Sequence, residues 1–121
     1  MRSLRDTTAT ITAYEEGVEV GKVSNAIEVP VGYHLAALIL PIIETSTAII
    51  FQVSLNGIDY KPLHEANARY SVNITNTGGI AMNLDETKFY NWRFIKIEVA
   101  NAQTVTNRIF NVILARNIDN V

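Results

Sequence analysis

The stretch Leu35-Ala36-Ala37-Leu38-Ile39-Leu40-Pro41-Ile42-Ile43 is apolar at every position, the longest such run in a chain whose other strands mostly alternate with polar residues. Successive strand side chains point to opposite faces, so a strand of this composition is apolar on both. A small two-layer sheet protein buries one of those faces by itself. The surplus face predicts a packing partner, and assembly becomes a stronger expectation than catalysis.

Working outward, the dominant period is two. Ala9, Ile11 and Ala13 alternate with threonines, and Val20, Val23, Ile27 and Val29 mark one or two further strands. After Pro30-Val31-Gly32, Tyr33 to Leu40 reads as a strand. Ile49, Phe51, Val53 and Leu55 alternate with Gln52, Ser54 and Asn56, and Asn56-Gly57 predicts a type I′ hairpin turn with Ile58 to Leu63 running back antiparallel. Pro62 confines that return to a sheet edge. Tyr70, Val72 and Ile74, then Ile80, Met82 and Leu84, give two more strands around the turn Asn76-Thr77-Gly78-Gly79. Asp85 to Asn91 can hold one helical turn. Ile95, Ile97 and Val99, and finally Phe110, Val112 and Leu114, are the inward sets of the last two strands. The expected fold is a single all-β antiparallel sandwich with about eight or nine strands, a jelly roll by preference, although an immunoglobulin-like sandwich shares this patterning. Residues 1–7 are expected to form a mobile N-terminal arm, 8–116 the sandwich domain and 117–121 a mobile tail.

Composition narrows the function classes. The chain has 121 residues, 48% hydrophobic and 18% charged, with a formal net charge of -2. That balance argues against a phosphate-backbone binder, which carries a concentrated basic face. No cysteine is present, which removes disulfides and thiolate metal sites. The basic start Met1-Arg2-Ser3-Leu4-Arg5 lacks the apolar run of a signal peptide. Leu35 to Ile43 is about half of the ~20 residues a membrane-spanning helix needs, so no membrane span is expected.

Candidate chemistry is sparse. His34 and His64 have no partner at a metal-ligand spacing, and Glu15/Glu16 and Asp85/Glu86 read as solvated turn carboxylates. No nucleophile elbow or phosphate loop is present, and neither an enzyme nor a cofactor is expected. Phe89, Tyr90, Trp92 and Arg93 have two readings. They are either an aromatic plug at one end of the core, or Tyr90, Trp92 and Arg93 stack on sugar rings and read hydroxyls.

From about Val20 to Ala115 the order of features resembles small virion-associated structural proteins of tailed bacteriophages, of the head-decoration or spike-base type. The resemblance rests on Leu38-Ile39-Leu40-Pro41 ending a strand, Ile50-Phe51-Gln52-Val53-Ser54 leading into Asn56-Gly57-Ile58-Asp59-Tyr60, and Tyr70-Ser71-Val72 after a polar loop. Phe89-Tyr90-Asn91-Trp92-Arg93-Phe94-Ile95-Lys96-Ile97 follows, with Gln103 and Arg108 ahead of the last strand. The family usually has Asp-Gly where this chain has Asn56-Gly57, and often an aromatic residue soon after the proline, where this chain has Ile42-Ile43-Glu44. The resemblance implies a β-sandwich in the virion, assembled in the host cytoplasm, homo-oligomeric, and bound to the capsid or to a head or neck protein. Leu38, Leu40, Ile42 and Ile43 are the expected contact residues, with the N-terminal arm as a second anchor. A glycan-binding virion module using Tyr90, Trp92 and Arg93 is the alternative. A β-sandwich of unrelated role, with its two-faced strand covered by a loop, is the third.

Overall fold

A computed structural model describes residues 2–13, 21–43, 48–74 and 80–117. The described strands are β1 (Arg2–Ile11), β2 (Ile27–Glu28), β3 (His34–Leu40), β4 (Ala48–Ser54), β5 (Lys61–Pro62) and β6 (His64–Glu65). After them come β7 (Ala68–Arg69), β8 (Ser71–Asn73), β9 (Ile80–Asn83), a 3-10 turn at Glu86–Lys88, β10 (Phe94–Val99) and β11 (Arg108–Asn117). One sheet has the order β1-β11-β3-β9 and the other β2-β10-β4-β5, with β8 also paired to β4, and all pairings are antiparallel. β6 and β7 form a separate small hairpin. The expected all-β antiparallel sandwich is what the chain forms.

The inward side chains are those the alternation predicts. Ile49, Phe51 and Val53 of β4, Ile95, Ile97 and Val99 of β10, and Phe110, Val112 and Leu114 of β11 are buried in one core with Ala9, Ile11, Leu35, Leu38 and Leu40 from β1 and β3. Phe89 closes the cluster edge-on to Phe51, with ring centroids 5.0 Å apart. It is the buried plug of the aromatic segment. Asp85 caps the 3-10 turn, its carboxylate accepting from the Thr87 backbone N–H at 3.2 Å and the hydroxyl at 2.7 Å.

Three expectations are corrected. First, Arg2 to Thr7 is no arm: it pairs residue by residue with Asn117 to Val112 as the first half of a ten-residue β1. Polar and charged, this segment shows no buried alternation of its own, and its order comes from the β11 backbone. Asn117 likewise ends β11 rather than starting a tail, while residues 118–121 lie outside the described residues.

Second, β3 does not alternate uniformly. Leu114 and Ile113, adjacent on β11, face Leu35 and Ala37, so Ala36 is an extra residue, a β-bulge. The bulge lets Leu35, Leu38 and Leu40 all point inward while Ala37 and Ile39 point out. The Ala36 carbonyl accepts from the Leu84 N–H at 2.9 Å.

Third, Asn56-Gly57 is no type I′ hairpin. Gly57 alone of the two has a positive φ, of 76°, and pairing resumes only where Lys61 and Pro62 face Val53 and Gln52. Asn56 organises the loop instead, its Oδ1 accepting from the backbone N–H of Ile58 at 2.8 Å and of Asp59 at 2.9 Å. Glycine suits this position by its positive φ, and a methyl group there would also lie tightly, 3.2 Å, against the Phe94 ring. The expected turn at Asn76 to Gly79, Val18 to Val20 and the Glu15/Glu16 pair lie outside the described residues.

Candidate interaction surface

Directly opposed residues of an antiparallel pair share a face, so the registers place the outward side chains of the β1 sheet in rows. Across β1, β11, β3 and β9 these run Leu4, Ala115, His34; then Asp6, Ile113, Ala37, Asn83; then Thr8, Asn111, Ile39, Ala81; with Thr10 beside Ile109. Leu4 is 61% exposed, Ile109 55% and Ile39 38%. Ala37 and Ile113 are half-buried. Asp6 is the one carboxylate in these four rows. An outward face this apolar is the second face that Leu35 to Ile43 demanded, though its residues differ from those expected.

Of the expected contact set, Leu38, Leu40 and Ile43 are at most 2% exposed and belong to the core, so they are unavailable to a partner in this fold. The physical reason is the bulge, which turns Leu38 and Leu40 inward with Leu35. Ile42, 57% exposed just beyond Pro41, is the member that stays displayed. Leu4, Ile39, Ile109 and Ile113 were missed. Their signal was the apolar residues among threonines and asparagines in β1 and β11, which becomes readable only when the three strands are known to be adjacent.

At one end of this face the 3-10 turn packs against β3 and brings Glu86 over the sheet. Glu86 Oε1 accepts from Arg2 Nη2 and from His34 Nε2, each at 2.5 Å. A carboxylate only accepts, so Nε2 carries the proton. These hydrogen bonds, that of His34 foremost and then that of Arg2, hold the Glu86 carboxyl below the ordinary carboxylate range. His34 is 5% exposed, and its ring stands edge-on to Tyr90 at 4.7 Å. The expectation of a solvated turn carboxylate is therefore corrected for Glu86: it is paired with His34. Nothing in their spacing of 52 residues signals it. Chemically the triad is a clamp, joining the start of β1 to the turn before β10. A hollow of about 400 Å³ lies beside it, lined by Arg2, Leu4, Ala36, Asn83, Glu86 and Ile113.

The aromatic segment divides. Tyr90 is 53% exposed beside His34, whereas Trp92 is half-buried against the core and lines a different hollow of about 260 Å³ with Val53, Asn56, Asp59 and Lys61. Arg93 is exposed, and its backbone bonds Val29 and Ser54. Tyr90 and Trp92, expected to share one sugar platform, are thus turned toward different neighbours.

His64 is exposed on β6. Among the described residues no three His, Cys, Asp or Glu side chains are grouped to hold a metal ion, and no helix is long and apolar enough to cross a membrane. No family model, no curated protein and no solved structure matches the chain.

Proposed function

We propose that this chain is a non-enzymatic structural protein of a tailed-phage virion, an oligomeric decoration or accessory subunit that docks on the capsid or an adjoining head or neck component. The observation that carries the reading is the outward face of the β1 sheet, where Leu4, Ile39, Ile109 and Ile113 stand without a covering element among the described residues. The family resemblance supports it. So does the strand order: taking β1, β2, β3, β4, β8, β9, β10 and β11 as eight strands, the sheets read 1-8-3-6 and 2-7-4-5. That order supports a jelly-roll reading, two Greek keys in two sheets, an architecture that viral capsid domains use.

If each of those four side chains and Ile42 buries about 40 Å² in a contact, ~25 cal/mol per Å² yields about 5 kcal/mol before the cost of association. One such contact is weak, and a shell offering many copies of it is not. Cosedimentation with assembled capsids lacking the protein tests the proposal. Saturable binding, lost in an Ile39→Lys variant that stays folded, is expected. A protein that remains monomeric at high concentration and leaves capsids bare overturns it.

A further inference from the structure

The edges of the two sheets are unequal. β2 and β5 have two residues each, β5 carries Pro62, β8 has three residues and β9 four. Short and proline-bearing edges are the usual protection against pairing with another chain. β1 has ten residues, no proline, and lies at the end of its sheet. At its far end the edge is already occupied, because Asn25 accepts from the Thr10 N–H at 2.7 Å and donates its own N–H to the Thr10 carbonyl at 3.2 Å. Both backbone groups of Thr10 therefore point away from β11. By the alternation of an antiparallel pair, those of Arg2, Leu4, Asp6 and Thr8 point the same way. Among the described residues no partner meets them.

We infer that this open half of β1 pairs antiparallel with β1 of a second copy, about a two-fold axis at Leu4, joining two four-stranded sheets into one of eight. The inference rests on the oligomeric part of the proposed function and names its contact. Side-chain charge selects the register. Centred on Leu4, the pairing sets Leu4 against its copy and Arg2 opposite the copy's Asp6, twice by symmetry, with Ser3 opposite Arg5 on the other face. Centred on Arg5 it would oppose two arginines, and centred on Asp6 two aspartates, both unfavourable directly across a sheet. Registers farther along run into Thr10, which Asn25 holds. Arg2 can serve the copy's Asp6 while keeping Glu86, since a guanidinium has five N–H donors. Leu4, 61% exposed in the single chain, gains cover. A two-fold contact of this kind uses one patch on both subunits and closes on itself.

The absence of cysteine provides a direct test. Opposed residues of a hydrogen-bonded antiparallel pair have Cα atoms about 5.5 Å apart, inside the ~4.4–6.8 Å range of a disulfide. Under mild oxidation Leu4→Cys should give a covalent dimer, while Thr8→Cys, many residues from its own copy in this register, should stay monomeric. By light scattering the cysteine-free protein should be a dimer, and Asp6→Arg, which places an arginine opposite each Arg2, should weaken it about tenfold or more, with an unchanged thermal midpoint at concentrations where both proteins are monomeric. A Leu4→Cys protein that stays monomeric, or equal cross-linking at both positions, overturns the inference. Capsid cosedimentation on the same samples separates the two proposals. Binding by an uncross-linked monomer refutes the pairing alone, and a cross-linked dimer that ignores capsids refutes the docking alone.

Discussion

The sheet built on β4 covers its own outward face. Gln52 Nε2 donates to Glu98 Oε1 at 2.7 Å, Arg69 Nη2 donates to the same oxygen at 3.0 Å, and Lys96 lies 4.2 Å from the centre of the Tyr60 ring. Burial raises the Tyr60 phenol above its usual pKa. The sheet built on β1 has longer strands and the more apolar outward face, and its polar contacts gather at one end around Glu86. Its middle rows offer Ile39, Ile113 and Ala37 no such cover. The contrast teaches that one sheet is finished within the chain, whereas the other retains apolar surface suited to a neighbour.

The strongest way to break the comparison is to remove what both sheets share. Phe51→Ala should cost about 3–5 kcal/mol, since Phe51 is fully buried between the sheets and contacts Phe89. Denaturant unfolding should then show one weakened transition, and hydrogen exchange should rise in β1 and β11 as well as in β4 and β10. Protection that survived in β1 would mean that the sheets unfold as separate units. Next, Glu98→Ala strips the cover of the β4 sheet and leaves Arg69 and Gln52 without their acceptor. A loss of about 1–2 kcal/mol is expected in thermal denaturation, with capsid binding unaffected.

A smaller effect belongs to the clamp. Glu86→Gln should cost on the order of 0.5–1 kcal/mol at neutral pH, because it removes the charge facing Arg2 and His34. The sign of its pH dependence follows from the lowered folded-state pKa of Glu86. Its contribution is complete above the ordinary carboxylate range and is lost as pH falls through the lower folded value, so the difference between wild type and variant should close on acidification. A gap that persisted in acid would show that packing, and not the carboxylate, holds β1 to the turn. Smallest of all is Ile39→Lys on the bare face. A change within about 0.5 kcal/mol in the isolated protein is expected, as for surface positions generally. A large loss of monomer stability would mean that this face is already covered within the chain.

Much of the fold was legible because burial imposes a period that residue types record. β4, β10 and β11 were readable from Phe51, Ile97 and Val112 and their alternating neighbours, and Pro62 correctly marked an edge. β1 was read from Thr8 onward only. Arg2 to Thr7 is too polar to show a buried face, and the backbone of β11 is what makes it a strand. Asn56-Gly57 announced a turn but not its form, since the Phe94 ring and the Asn56 side chain together select a longer loop. The interaction surface was legible as a need and not as a place. Ile42 is exposed as expected, whereas Leu38, Leu40 and Ile43 were assigned outward although they are core.

By itself the sequence determined that this protein is an antiparallel β-sandwich with more apolar strand surface than one core uses. Alternation and composition are local properties, and each strand carries its own. Only the tertiary structure decided which face of Leu35 to Ile43 is left over, because the bulge at Ala36 exists through pairing with Ile113 and Leu114. It also placed Glu86 on Arg2 and His34, and left β1 at an edge. Those outcomes depend on which strands lie side by side, a relation between distant residues that no single stretch of sequence records.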